Sequence, residues 1–122
     1  MKSTYTQANA RIRILSTLMA GAMLGASPQT SATVVGATGT VVQIYTYAEF
    51  GSGDFVFKLS TTVAGCEGGF WISPSQPGFK ASVAFVMQAR ATEASISAGG
   101  NDTLIWPGST AKFCKLDWLA AN

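Results

Sequence analysis

The chain contains no histidine and only two cysteines among its 122 residues. Without histidine, the commonest general base and metal ligand near neutral pH is missing. A Ser/His/Asp or Cys/His arrangement within one chain is therefore excluded. Two thiols without histidine rarely complete a zinc site, so no metal and no cofactor is expected. Charge is sparse as well, with eight bases and six acids in all. Paired carboxylates are the one common hydrolytic option left. Glu49, Asp54, Glu67 and Asp102 sit beside turn sequences, however, where turn chemistry and solvation account for them. The glycine-rich stretches Gly51-Ser52-Gly53 and Gly65 to Gly69 lack a following Lys-Ser/Thr and open no helix, so neither reads as a phosphate loop. No repeat and no low-complexity tract interrupts the chain. Together these absences point away from an enzyme.

What is present begins with an asymmetric first 32 residues. Lys2, Arg11 and Arg13 stand there without an acid, followed by the apolar run Ile14 to Ala26. The run is about 13 residues long, whereas a spanning helix needs about 20. Thr30-Ser31-Ala32 then offers small residues around a cleavage point. This is the layout of a secretory signal peptide over residues 1–32, with Ala26 and Ala37 as alternative cut sites. Arg11 and Arg13 are separated by Ile12, so a general export route is expected rather than a twin-arginine one. The expected location is the periplasm or the medium, with no membrane insertion once the leader is gone.

The net charge of +2 belongs largely to that leader. After its removal five bases (Lys58, Lys80, Arg90, Lys112, Lys115) face six acids, leaving −1. Such a balance lacks the electrostatic footprint of nucleic-acid binding or of a polybasic membrane patch. Roughly 90 residues make one domain, and a domain of that size buries only about 60–65% of its unfolded surface. Cys66 and Cys114, an even pair in an oxidising compartment, read as one disulfide. Two reduced buried thiols are the alternative. The bridge would contribute roughly 4 kcal/mol in the chain-entropy model.

Along the chain, residues 33–38 are small and read as a flexible arm. Thr40 to Ala48 is β-branched and aromatic, a first strand. Strict alternation would put Val42, Ile44 and Thr46 on one face and Val41, Gln43, Tyr45 and Tyr47 on the other. Phe50 to Asp54 is a turn, and Phe55 to Thr62 alternates as the second arm of a hairpin. Phe70-Trp71-Ile72 is a short third strand. Phe79 to Ala91 carries Phe79, Val83 and Met87 at helical spacing. Ala94 to Ala98 alternates as a fourth strand. Gly99 to Asp102 opens a loop that runs through Trp106 to Ser109, and Phe113 to Leu119 is the fifth strand. Three strands, a helix and two strands suggest a mainly β, OB-like, five-stranded, partly open barrel with one helix between strands three and four over residues 39–122. A small α+β sandwich is the alternative.

Aromatic residues supply the remaining signal. Trp106, between Asn101-Asp102 and Pro107-Gly108, can stack on a sugar ring or a partner's apolar group; equally, it can fold back over an open barrel end as a lid. Tyr45 and Tyr47 share a strand face that is either a recognition surface or core. Trp71 and Trp118, inside strands, read as core. The candidate ligand-binding residues are thus Trp106, Asn101, Asp102, Tyr45 and Tyr47.

Several of these features occur together elsewhere: a leader, a Cys before a short aromatic strand, a helix ending Gln88-Ala89-Arg90-Ala91, a Ser/Ile-alternating strand, a loop Trp and a Cys in the last strand. Over Gly39 to Leu119 the chain resembles small secreted bacterial OB-fold proteins. These are similar in outline to the B subunits of subtilase-cytotoxin-like and pertussis-like toxins. The resemblance implies an OB barrel, a ring-shaped homopentamer and glycan binding. It carries over the Cys66–Cys114 bridge and the position of Trp106, and it matches no glycan-contacting residue of the toxin subunits. The expectation is an exported, non-enzymatic binding domain with a glycan or protein partner. A structural, envelope-associated or inhibitor-type protein without a small-molecule ligand is the alternative.

Overall fold

The β-branched segment around Val41 forms a longer strand than its composition predicts. The computed structural model describes Gly25 and residues 32–122; the expected leader otherwise lies outside the described residues. Strand β1 spans Val34–Thr46. Of residues 33–38, expected as a flexible arm, Val34 to Thr38 thus form most of its first half. That half pairs antiparallel with β4 (Ser95–Ile105), from Val34↔Asn101 to Thr40↔Ser95. Small residues suit this position, because the strand crosses close to its neighbours there. The second half pairs with β2 (Phe55–Leu59).

A β-bulge lies where β1 changes partner. Val41 opposes Leu59 and Gln43 opposes Lys58, so Val42 is the extra residue. One extra residue reverses the inward–outward alternation beyond it. Val41 is buried and Ile44 packs against the core, while Val42 and Tyr45 point out. The strict alternation expected from sequence therefore fails at this residue. The guanidinium of Arg90 donates to the Val41 carbonyl at 3.0 Å, tying the bulge to helix α1 (Phe79–Thr92).

Strand β3 (Gly69–Ile72) joins β2 antiparallel and β5 (Phe113–Ala121) parallel. Strand β5 pairs antiparallel with β4, closing a ring in the order β1-β2-β3-β5-β4. Among the described residues the fold is mainly β, with an OB-like order and one long helix between β3 and β4. The Cys66–Cys114 disulfide ties the turn before β3 to β5, and both cysteines are buried. The expected loop at Gly99 to Asp102 is instead the middle of β4, because Gly99 and Gly100 pair across to β5 on one side and β1 on the other.

The interior holds Val41, Phe55, Phe57, Leu59, Phe70, Ile72, Ile96 and Leu116, with Val86 and Ala89 of α1. A second cluster of Val56, Trp106 and Phe113 is separate from it. Val56 lies between the two core residues Phe55 and Phe57, so it faces the opposite way, onto the outside of the wall. Among the described residues, no helix is long and apolar enough to cross a membrane.

Candidate binding surfaces

Two rows of outward-facing residues cross the wall of the ring. The first runs Tyr45 (β1), Val56 (β2), Trp71 (β3) and Lys115 (β5), each in register with the next. The Lys115 ammonium lies over the Trp71 ring, 5.6 Å from its centroid. Such a contact is favourable by about 0.5–1 kcal/mol at an exposed site. The Trp71 indole N–H donates to the Leu104 carbonyl at 3.1 Å. Trp71 is therefore a half-exposed member of the outer wall and not a core residue.

The loop after β4 folds over this row. Trp106 is only 2% exposed and packs with Val56 and Phe113. Its indole N–H donates to Asp54 Oδ2 at 2.9 Å. Trp106 therefore acts as a lid, as one of the two sequence readings has it, but it covers the outer cluster and not the ring's interior. Its ring is not available to a ligand. Asp54, expected as a solvated turn acid, is 3% exposed, and its Oδ1 has no hydrogen-bond partner. Its carboxylate rests on Gly51, whose φ of +62° favours glycine and where a Cβ would collide with it. The Asp54 N–H donates to the Phe50 carbonyl at 3.1 Å, and its carbonyl accepts from the Tyr47 N–H at 3.0 Å.

These links gather an aromatic group. Tyr47 lies 4.8 Å and Phe50 5.3 Å from the Trp106 ring centroid, and Tyr45 is 6.4 Å from Tyr47. Tyr45 is 41% and Phe50 44% exposed. Of the five candidates from sequence, the structure brings Tyr45, Tyr47 and Trp106 together. Phe50, a turn residue by its sequence context, joins them.

Asn101 and Asp102 lie elsewhere, on β4. The Asn101 Oδ1 accepts from the N–H and hydroxyl of Thr103 at 2.9 and 2.6 Å. Asp102 Oδ1 accepts from the Thr33 N–H at 3.1 Å, fixing the start of β1. Glu67 accepts from the Gly65 N–H at 3.0 Å. That hydrogen bond, one from its own backbone N–H and the nearby Lys112 charge hold its carboxyl below the ordinary glutamate range.

The second row runs Gly36 (β1), Gly99 (β4) and Trp118 (β5). Trp118 was expected in the core, yet it is 41% exposed. Its indole lies across both glycines: a Cβ on Gly99 would overlap the ring, and one on Gly36 would sit 3.3 Å from it. In sequence Gly36 and Gly99 read as arm and loop; within strands, glycine marks close approach of another group.

The fold and these surfaces define a small disulfide-linked β protein of OB-like order that presents aromatic side chains on its outer wall. No protein-family model, no curated protein and no solved structure matches the chain.

Proposed function

We propose that this chain is an exported, non-enzymatic binding domain that meets its partner through the Tyr45–Tyr47–Phe50 surface. The observation that carries this reading is the exposure of Tyr45 and Phe50 over a fixed base, the buried Trp106–Asp54 hydrogen bond. A pre-ordered aromatic surface spends little conformational entropy on binding, which is why such groups anchor interfaces. The absence of histidine and the bridging of both cysteines support a role without catalysis. The disulfide fits an oxidising compartment, the periplasm or the extracellular medium.

A glycan is the first partner class, since tyrosines combine an apolar face with a hydroxyl handle. The resemblance to toxin B subunits implies the same class and a ring of five copies. A protein partner is the second reading, favoured by Phe50, whose exposed ring offers no polar group. Native mass spectrometry separates a five-fold mass from a stand-alone monomer. The binding test is capture on a glycan array and from envelope extracts, by the native chain and by a Tyr45→Ala/Phe50→Ala variant. Loss of capture by at least tenfold, with a cooperative unfolding transition retained, supports this surface. Equal capture by the variant sinks it.

A further inference from the structure

We infer that the Tyr45–Tyr47–Phe50 surface takes a guanidinium group, so that its partner is a protein presenting an arginine side chain. The inference rests on the reading of that surface as the binding face. It goes further in assigning the charge of the partner and in deciding for a protein over a glycan.

The surface is aromatic and its own segment is acidic. From Tyr45 to Phe57 the chain carries two acids, Glu49 and Asp54, and no base. They stand on either side of the short helical turn Phe50–Ser52, which bears one of the exposed rings. Glu49 is exposed where the turn begins. Asp54 is buried just beyond its end, with its carboxylate against Gly51, an exposed residue that brings no side chain to cover it. One carboxylate oxygen accepts from the Trp106 indole, and the other has no hydrogen-bond partner among the described residues. A carboxylate left half-paired in a poorly polarisable surrounding is costly, and its field is weakly screened. A cation brought to the adjoining surface offsets that charge.

The bases on the neighbouring elements are placed elsewhere. Lys115 lies over the Trp71 ring. Lys112, in the loop after Trp106, acts on Glu67. Lys58 stands opposite Gln43, one outward row away from the Tyr45–Val56 pair. The turn therefore offers its two negative charges to a partner.

The rings favour arginine over other cations. Tyr47 lies 6.4 Å from Tyr45 and 6.3 Å from Phe50, centroid to centroid. Aromatic rings attract a cation through their quadrupole. A guanidinium stacks on them, is less strongly hydrated than an ammonium and keeps in-plane donors for carboxylates and tyrosine hydroxyls. An anionic sugar is repelled by the same two acids, and a neutral one gains nothing from them.

The test uses the exported chain with its disulfide intact. The probe is a fluorescent peptide of alternating arginine and glycine, titrated by anisotropy beside copies in which lysine, citrulline or glutamate replaces every arginine. The expected result is binding of the arginine peptide, at least threefold weaker binding with lysine, at least tenfold weaker binding with neutral citrulline, and none with glutamate. Affinity should fall as salt rises from about 0.01 M to about 0.15 M, because the screening length shortens from roughly 30 Å to roughly 8 Å. Tyr45→Ala/Phe50→Ala should lower affinity at least tenfold. Glu49→Gln and Asp54→Asn should each lower it at least threefold and flatten the salt dependence. Asp54→Asn keeps an acceptor for Trp106; should it lose its cooperative unfolding, Glu49→Gln carries the test alone. Glu93→Gln removes an acid at the end of α1 and should leave affinity within about twofold.

Equal binding of the citrulline peptide, or no loss in Glu49→Gln and Asp54→Asn, overturns the charge assignment, while a loss in Tyr45→Ala/Phe50→Ala keeps the surface. Glycan capture through this surface with no peptide binding does the same. A loss in Glu93→Gln as large as in Glu49→Gln marks diffuse attraction to acids and also overturns the inference. Peptide binding that survives Tyr45→Ala/Phe50→Ala overturns both the inference and the binding face.

Discussion

Trp106 and Trp118 both lie against the outside of the same β wall, yet one is sealed and the other open. The difference lies in what each row of the wall offers underneath. Beneath Trp106 the row carries bulky residues, Val56 and Trp71, and the neighbouring Tyr47, Phe50 and Phe113 wrap its ring. A buried carboxylate then satisfies its N–H. Beneath Trp118 the row carries two glycines, against which the indole packs, and the side chain stays 41% exposed. An outer-wall aromatic becomes structure when neighbours enclose it and its polar atom is paired. It becomes surface when the wall beneath it is bare and no loop crosses it.

This contrast can be broken from either side. The largest effect is expected from deleting Val42. One half of β1 pairs with β4 and the other with β2, so losing the bulge residue flips one half in any register. Thermal unfolding followed by circular dichroism should lose its cooperative transition. Trp106→Ala comes next. It should cost about 3–5 kcal/mol in chemical denaturation, as removal of a buried tryptophan does, whereas Trp118→Ala should cost under about 1 kcal/mol. Equal costs would erase the distinction between the two sites. Asp54→Ala leaves the indole N–H of Trp106 unpaired and should cost about 1–3 kcal/mol; Asp54→Asn, which keeps an acceptor, should cost less. Gly99→Ala should leave most of the stability in place and raise acrylamide quenching of Trp118, because the added Cβ displaces the ring outward.

The smallest effect concerns Glu67, beside the base of the loop that carries Trp106. Its folded-state carboxyl titrates below the ordinary glutamate value, so its stabilising contribution is present above that value. The contribution is lost as pH falls through the lowered one. The midpoint difference between Glu67→Gln and the native chain should therefore shrink in acid and level off above the ordinary glutamate range. A difference that grew on acidification would reverse the sign assigned here.

Element order, the helix and β5 as the last strand were legible in sequence, because period-two and period-3.6 patterns act over short windows; the closed ring, expected as a partly open barrel, was not. Phe79 to Ala91 read as helix and extends by one residue. The two ends of the expected binding loop were not legible in the same way. Gly99 and Gly100 look like turn residues alone, but flanking strands on both sides supply ladder partners that a turn would lack. The small residues of 33–38 likewise gain strand structure only from β4. The facing of Tyr45 depended on one extra residue at Val42, which no local pattern marks.

The sequence by itself determined the inventory: no histidine, one cysteine pair, a mainly β domain with a helix between strands three and four, and three tryptophans, one of them in a loop sequence. Tertiary structure alone decided which tryptophan faces water. Sequence left the loop Trp106 open between ligand contact and lid, and the ring makes it a lid; the strand residue Trp118, expected in the core, is exposed. The physical reason is that burial of an outer-wall ring depends on cross-strand neighbours and on a distant acceptor. For Trp118 the neighbours are Gly36 and Gly99; for Trp106 the acceptor is Asp54. Those partners are far apart along the chain and meet only when the five strands close.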